Sequence, residues 1–383
     1  MAIDTTNIQA AITAKIAAED SSVSALDLLR YETAADRYGV AQYYTSAAAL
    51  PTASSALEGM IALVMTNAAD SGNALYLCTG TEWFEMQDLD SAAPVSYSFQ
   101  GSNFGYTSGG NTPTGKSNVI DKFSFTSDGN ASDVGDLTQL TASATGQSSS
   151  THGYTSGGTL PGASNVIDKF PFVSDANASD VGDLTVGRYT AAGQSSADNG
   201  YTSGGGFPQS NVIDKFPFAT DANASDVGDL TAVRSGVTGQ SSTAHGYTSG
   251  GSVPPTSNVI DKFPFASDAN ASDVGDLTQA RTYAAGQSSS ENGYASGGSP
   301  GGPLSNVIEK FPFSSDANAS DVGDLTVAKY NLTGQSSTAN GYVSGGFPPT
   351  SNVIEKFPFA SDTNASDVGD LTVARHSATG QQY

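Results

Sequence analysis

Oxygen-bearing side chains recur at fixed spacing in the segment Asp-Ala-Asn-Ala-Ser-Asp-Val-Gly-Asp, which begins at Asp175. They stand at its first, third, fifth and ninth positions, and the chain carries six copies of the segment with small variations. Calcium takes about six to eight oxygen ligands, and alternate oxygen side chains in a short loop can surround it. The spacing therefore predicts calcium loops. The candidate ligands are Asp128, Asn130, Ser132, Asp136, Asp175, Asn177, Ser179, Asp183, Asp221, Asn223, Ser225, Asp229, Asp268, Asn270, Ser272, Asp276, Asp316, Asn318, Ser320, Asp324, Asp362, Asn364, Ser366 and Asp370.

The spacing resembles that of the calcium loops on the blade hairpins of α-integrin propellers. It departs from them at the sixth position, where Asp180 stands instead of glycine, and the glycine follows two residues later as Gly182. The alternative is a β-turn in which Asp and Asn side chains cap backbone amides. Calcium is the only cofactor that the sequence suggests.

The loops belong to an internal repeat with a period of about 47 residues. Each unit contains four strand-like stretches, typified by "AGQSS", "GYTSGG", "NVIDKFPF" and "DVGDLT", and none shows helical periodicity. Four short strands at a period of about 40 to 50 residues are typical of a β-propeller blade. The Gly-Tyr dipeptides that mark the six units begin at Gly105, Gly153, Gly200, Gly246, Gly293 and Gly341.

The Gly-Gly doublet that ends one strand, followed by a second hairpin, resembles the kelch repeat over residues 94–383, although "DVGDL" stands where kelch units usually carry a Trp. The resemblance implies a mainly β protein with a six-bladed, kelch-like β-propeller; a right-handed β-solenoid is the alternative. The tail 370–383 runs one strand beyond the sixth "DVGDLT". We expect that strand to enter blade one and close the ring, in preference to residues 95–104.

The first 93 residues lack the repeat and show helical patterns and apolar strand-like stretches instead. Ile8, Ile12 and Ile16 share one helix face, and a second helical stretch runs from about Ser22 to Arg37. We therefore expect an N-terminal helical segment over 1–45, a small β-hairpin module over 46–93 and the six-repeat propeller over 94–383. In the hairpin module, "GMIALVMTN" is predicted to pair with "NALYLCTG", and "EWFEM" follows as a third strand.

This hairpin module is similar to one common in bacteriophage virion proteins, through Gly-Met-Ile-Ala at 59–62, Asn-Ala-Leu-Tyr at 73–76 and Gly-Thr-Glu-Trp at 80–83. Its alternative is an ordinary β-meander. The resemblance implies a virion structural protein, in a tail fibre or other surface appendage of the particle. Other virion proteins would bind the N-terminal region, and the propeller would face a host surface glycan or protein. A homotrimer is expected by analogy with phage fibres alone.

Charge and composition narrow the function classes. The net charge of −23 argues against nucleic acid as a partner, because phosphate contacts need Lys and Arg. No run of about 18 apolar residues predicts a membrane span. The three histidines and Cys78 form no catalytic constellation, so no enzyme is expected. A bacterial adhesion or carbohydrate-binding propeller is the main alternative, and a propeller enzyme the weaker one. Lys262 beside Asp261 is interpreted as a solvated ion pair.

The segments between "SGG" and "SNVI" differ most from unit to unit and are rich in Pro. We expect them to cluster on one face of the ring, where they could bind a partner. They span residues 111–116, 159–163, 206–209, 252–256, 299–304 and 347–350.

Overall fold

The computed structural model describes residues 42–44, 50, 52, 61–64, 74–78, 83–88, 100–159, 161–252 and 255–383. The chain divides into two compact units, Met1–Ser96 and Tyr97–Tyr383. The helices predicted around Ile8 to Ile16 and over 22–37 lie outside the described residues. No helix in the described part of the chain is long and apolar enough to cross a membrane.

The first unit contains one four-stranded sheet with the order β1-β2-β3-β4. Strands β2 and β3 pair antiparallel, with Ile61 opposite Leu77, and β4 adds to β3. This confirms the predicted hairpin and third strand. Strand β1 pairs parallel to β2, which the sequence did not predict. The strands are β1 (Gln42–Tyr44), β2 (Ile61–Val64), β3 (Ala74–Cys78) and β4 (Trp83–Asp88).

The second unit is a six-bladed β-propeller, so the predicted fold class is confirmed. Each blade is an antiparallel sheet of an inner, a second, a third and an outer strand. The inner strands of blades one to six are β29 (Thr379–Gln382), β9 (Thr145–Ser148), β13 (Ala192–Ser195), β17 (Thr238–Ser241), β21 (Ala285–Ser288) and β25 (Thr333–Ser336). The second strands are β5 (Phe104–Ser108), β10 (His152–Ser156), β14 (Asn199–Ser203), β18 (His245–Ser249), β22 (Asn292–Ser296) and β26 (Asn340–Ser344).

The third and outer strands complete the blades, and β6 (Asn111–Thr112) pairs with the start of the third strand of blade one. The third strands are β7 (Gly115–Ser124), β11 (Val166–Pro171), β15 (Val212–Pro217), β19 (Val259–Pro264), β23 (Val307–Pro312) and β27 (Ser351–Pro358). The outer strands are β8 (Ser132–Thr141), β12 (Ser179–Asp183), β16 (Ser225–Asp229), β20 (Ser272–Asp276), β24 (Ser320–Asp324) and β28 (Ser366–Arg375).

The C-terminal strand closes the ring, as predicted. Strand β29 pairs antiparallel with β5, with Gln381 opposite Tyr106. The side-chain amide of Gln381 also donates to Oγ of Ser108 and to the carbonyl oxygen of Tyr154 in blade two, at 3.1 and 2.9 Å. Blade one is therefore built from both ends of the propeller sequence.

The strand directions define two faces of the ring. The tip face carries the segments between second and third strands (the tips) and the connections from each outer strand to the next inner strand. A bridge such as Tyr189 to Gly206 joins each tip to the connection before it. The loop face carries the loops between third and outer strands, and the chain enters there at Gly101, whose N–H donates to the carbonyl oxygen of Ser336. The variable tips thus share one face, as the sequence predicts.

Glycine lets the inner strands meet around the axis. A Cβ on Gly193 would overlap the carbonyl oxygen of Gly146, and a Cβ on Gly239 would overlap that of Gly193. The same overlap recurs at all six inner strands, so only glycine fits this position. It explains the small residues that the sequence places in the first strand of each unit.

Aromatic rings fill the outer half of each blade junction. The Tyr201 ring of blade three stacks on Phe265 of blade four at 4.8 Å between centroids and contacts Phe263 at 5.5 Å. Within a blade, the Phe216 ring covers Gly200, where a Cβ would overlap it. Both faces of a blade are covered by neighbours, so consecutive third-strand residues are buried. The strand therefore does not show the alternation of a sheet exposed on one face.

Deleting residues 379–383 should lower the melting temperature by about 10 °C or more, because it opens the edge of β5 and removes the Gln381 contacts. Replacing the same residues with Thr-Gly-Gln-Ser-Ser, the sequence at 238–242, retains an inner strand and should leave the melting temperature almost unchanged. Differential scanning calorimetry of the two variants measures this. Equal melting temperatures for the deletion and the wild type would contradict ring closure by β29.

Candidate functional site

The aspartate that opens each predicted calcium loop lies on the loop face and contacts the preceding blade. Oδ1 of Asp175 lies 2.8 Å from Nζ of Lys122 on the third strand of blade one. The contact recurs around the ring and ends with Asp128 and Lys356, 2.5 Å apart. The aspartates are exposed, so each pair contributes about 1 kcal/mol or less. The other pairs are Lys169–Asp221, Lys215–Asp268, Lys262–Asp316 and Lys310–Asp362.

The asparagine of each loop binds backbone of the preceding blade. Oδ1 of Asn177 accepts a hydrogen bond from the N–H of Asp136 at 3.1 Å, and the N–H of Ala178 donates to the carbonyl oxygen of Asp136 at 2.7 Å. Each loop is therefore a clamp that holds the outer strand of the blade before it. The equivalent asparagines are Asn130, Asn223, Asn270, Asn318 and Asn364.

The serine and last aspartate of the predicted ligand set are not brought together. Ser179 and Asp183 are the two ends of β12, and a strand of this length separates them by about 13 Å. Calcium ligands each lie within about 2.6 Å of the ion. Among the described residues, no group of three His, Cys, Asp or Glu side chains is placed to hold a metal. Calcium binding stays a prediction of the sequence, and a chelator that lowers the melting temperature would support it.

A second acid of each unit is buried. Asp261, on the third strand of blade four, is completely buried and forms an ion pair with Arg234 from the preceding connection. Nη1 of Arg234 also donates to the carbonyl oxygens of Gly250 and Val259, at 3.0 and 3.1 Å. The guanidinium thereby joins the start of the tip at Gly250 to the third strand of the same blade. The equivalent pairs are Arg188–Asp214, Arg281–Glu309, Lys329–Glu355 and Arg375–Asp121.

The interpretation of Asp261 and Lys262 as one solvated pair is wrong. Successive strand residues point to opposite faces of the sheet. Asp261 therefore meets Arg234 of blade three, whereas Nζ of Lys262 lies 2.6 Å from Oδ1 of Asp316 in blade five. One dipeptide thus joins a blade to both of its neighbours.

A closed ring of six backbone hydrogen bonds surrounds the axis on the tip face. The N–H of Thr190 donates to the carbonyl oxygen of Ser143 at 2.8 Å, and the N–H of Ser143 donates to that of Ser377 at 2.7 Å. All members have φ between 53° and 65°, a left-handed conformation that is unfavourable for most residues other than glycine and asparagine. Such strain often accompanies functional sites. The members are Ser143, Thr190, Gly236, Tyr283, Asn331 and Ser377. Next to this ring, the inner strands enclose a cavity of about 130 Å³.

Aromatic side chains cover one part of this surface. The ring centroids of Tyr283 and Tyr330 are 6.1 Å apart, those of Tyr330 and Phe347 are 5.8 Å apart, and those of Phe347 and His376 are 5.3 Å apart. Tyr283 also lies against Gly236, where any Cβ would crowd its ring. All four aromatic side chains are half-buried. We call Tyr283, Tyr330, Phe347 and His376 the aromatic arc.

The titratable groups of the arc favour a neutral surface. Burial raises the pKa of Tyr283, and the hydroxyls of Tyr189 and Tyr330 raise it further. Burial lowers the pKa of His376, whose Nδ1 lies 3.0 Å from Oγ of Ser377. Tyr283 and His376 are therefore both uncharged at neutral pH. A neutral arc of aromatic faces with hydroxyl, amide and imidazole edges suits a ligand with both apolar faces and hydroxyl groups.

Sequence reasoning predicted a binding surface at the tips but missed the arc. Three of its members lie on connections, outside the predicted tips, and only Phe347 belongs to one. The available signal was variation among near-identical units. The residue after each buried cation position changes from unit to unit, whereas the blade strands scarcely change. These residues are Ala142, Tyr189, Ser235, Thr282, Tyr330 and His376.

The remaining candidate groups are scattered. His152 and His245 begin second strands at the loop face, and His376 lies on the tip face. Cys78 ends β3 in the first unit. The structure therefore places no two of the histidines in one site.

Comparison with known proteins supports the fold alone. No family model matches the chain, and no curated protein is significantly similar to it in sequence. Many solved structures are similar in fold. One of them, titled "Structure of YjhT", superposes with a TM-score of 0.53 at 13% identity, over 62% of this chain and 86% of that one. At this identity the likeness shows a shared β-propeller fold.

Replacing Arg234 with Met should destabilise the protein by about 3–5 kcal/mol, because it leaves Asp261 buried without its cation. The matched control is Lys215→Met, which removes the partly exposed partner of Asp268 and should cost about 1 kcal/mol or less. Urea unfolding of both variants measures the difference. Equal losses would show that the buried ion pairs contribute no more than the surface pairs.

Proposed function

We propose that this chain is a structural protein of a bacteriophage virion, in a tail or surface appendage, and that its propeller binds a surface glycan through the aromatic arc. The observation that carries the binding role is the arc itself. It is a run of four half-buried aromatic side chains on one face of the ring, each in ring contact with the next.

The chemistry of the arc fits a carbohydrate. A sugar ring has apolar C–H faces that pack on aromatic rings and hydroxyl edges that need hydrogen-bond partners. Tyr283 and Tyr330 supply both an aromatic face and a hydroxyl. Asn331 and Ser377, members of the hydrogen-bonded ring beside the arc, add an amide and a second type of hydroxyl.

The fold holds these side chains in place before any ligand arrives. Tyr283 belongs to the ring of six hydrogen bonds, and backbone bonds between Tyr330 and Phe347 in both directions fix the tip of blade six to its connection. A preformed surface loses little conformational entropy on binding. This rigidity favours recognition of a fixed ligand shape.

The virion role is supported by the resemblance of residues 59–83 to a phage virion module and by the hairpins that β2, β3 and β4 form there. Attachment to other virion proteins is assigned to residues 1–93, with a homotrimer as the expected assembly. A bacterial adhesion or carbohydrate-binding propeller is the alternative, and it would use the same arc. No enzymatic role is proposed.

Substituting Ala for Tyr330 or Phe347 should weaken glycan binding at least about fivefold, because each ring contributes an aromatic contact worth about 1 kcal/mol or more. An array of bacterial surface polysaccharides and oligosaccharides, probed with the labelled full-length chain, identifies the ligand, and calorimetry measures the loss. The matched control is Val173→Ala, which removes a side chain that is 77% exposed on the loop face.

Equal loss of binding in Val173→Ala and the arc variants, or no glycan bound by the wild type, would contradict the binding role. The virion role is tested separately by deleting residues 1–93 and following incorporation into particles. Incorporation of the isolated propeller would show that attachment does not use the N-terminal region.

A further inference from the structure

One junction of the ring differs from the other five. Where the others have Arg or Lys, the connection between blades one and two has Thr141. The acid that it faces is Asp168, which is only 4% exposed. The ion pairs of the described residues include the buried acid of every other junction but not Asp168.

The shorter side chain leaves space beside the acid. A cavity of about 10 Å³ is lined by Thr141, Gly157, Val166 and Asp168, among others. This volume is close to the smallest that holds one water-sized particle. It occupies the junction where the other blades bury a guanidinium or an ammonium group.

The oxygens around this cavity match those that bind a cation elsewhere in the ring. At the junction of blades six and one, Nη1 of Arg375 donates to the carbonyl oxygens of Gly109 and Val119, each at 3.1 Å. Its Nη2 donates to Oδ2 of Asp121 at 2.9 Å. By the repeat, Gly157, Val166 and Asp168 are the equivalent residues. They present the same oxygens, and Thr141, whose hydroxyl donates to the carbonyl oxygen of Thr159 at 3.5 Å, lines the cavity in place of the longer side chain.

The hydrogen bonds that Asp168 accepts do not replace the cation. The N–H and hydroxyl of Thr138 donate to it at 3.0 and 2.7 Å. At the junction with Arg375, Thr372 donates to Asp121 in the same way, also at 3.0 and 2.7 Å. Those bonds are therefore common to junctions with and without the buried cation.

Burial makes the charge of Asp168 costly. Burial raises the pKa of Asp168, the bonds from Thr138 lower it, and the nearby Asp180 raises it again. A buried carboxylate that lacks its counter-ion destabilises a fold strongly. A bound cation would offset this cost.

We propose that a dehydrated alkali cation, Na⁺ or K⁺, binds between Thr141, Gly157, Val166 and Asp168 and completes the sixth junction. The site offers one carboxylate and otherwise neutral oxygens, so one positive charge balances it. Calcium sites usually recruit more acidic ligands and about six to eight oxygens, more than this cavity has room for. The site lies inside the ring and is independent of any ligand at the aromatic arc.

Thermal melting in NaCl, KCl and choline chloride, at equal ionic strength and neutral pH, tests the proposal. Choline is too large for the cavity, so the wild type should melt a few degrees higher in NaCl or KCl. Thr141→Arg supplies the cation covalently and should melt at one temperature in all three salts. Arg234→Thr recreates the junction between blades three and four and should add a second alkali-dependent rise.

Equal melting of the wild type in the three salts would overturn the proposal, and so would a rise that Thr141→Arg retains. If the melting temperature is the same in the three salts but the protein gains stability as the pH falls, a proton on Asp168 neutralises the charge and the proposal is wrong. Broadening of the ²³Na resonance by the wild type but not by Asp168→Asn provides a second readout if the arginine variant does not fold.

Discussion

The close approach of six inner strands around one axis is the constraint on which the rest of the structure depends. Each inner-strand glycine faces the backbone of the preceding inner strand, as Gly193 faces Gly146, and a methyl group does not fit there. The other side chains of the inner strands must therefore point into the junctions between neighbouring blades. Gln194 does so, with its amide donating to the carbonyl oxygen of Tyr247 in the next blade at 2.9 Å. Near the axis, each blade therefore binds its neighbours through polar groups.

The repeated acids also join neighbouring blades. One acid per unit is buried in the junction with the preceding blade, and a second, at the loop face, pairs with a lysine of that blade. The asparagine two residues after this second acid accepts a hydrogen bond from the preceding outer strand. The residues that make these contacts therefore recur in the units at the same positions. The units differ at the junction where Thr141 replaces the buried Arg or Lys. They also differ on the tip face, in the connections and the tips.

Much of the fold could be predicted from the sequence, because period and strand patterns are local. The repeat of about 47 residues gave the blade number, and the surplus strand after Asp370 gave the closure. The role of the acids could not be predicted in this way. Alternate oxygen side chains suit a calcium loop and also a clamp, and the partners Lys122 and Asp136 belong to another unit. The aromatic arc was missed for the same reason, since separate connections and a tip assemble it.

The central claim is that the six units unfold as one closed ring. Native-state hydrogen exchange at the ring of six backbone bonds tests it most directly, because its connections differ in sequence and their peptides can be distinguished. The account predicts that the amides of Ser143, Thr190, Gly236, Tyr283, Asn331 and Ser377 share one free energy of exchange, equal to that of global unfolding. A graded series, with Ser143 and Ser377 exchanging through local opening while Gly236 and Tyr283 stay protected, would show an open array of blades and contradict it.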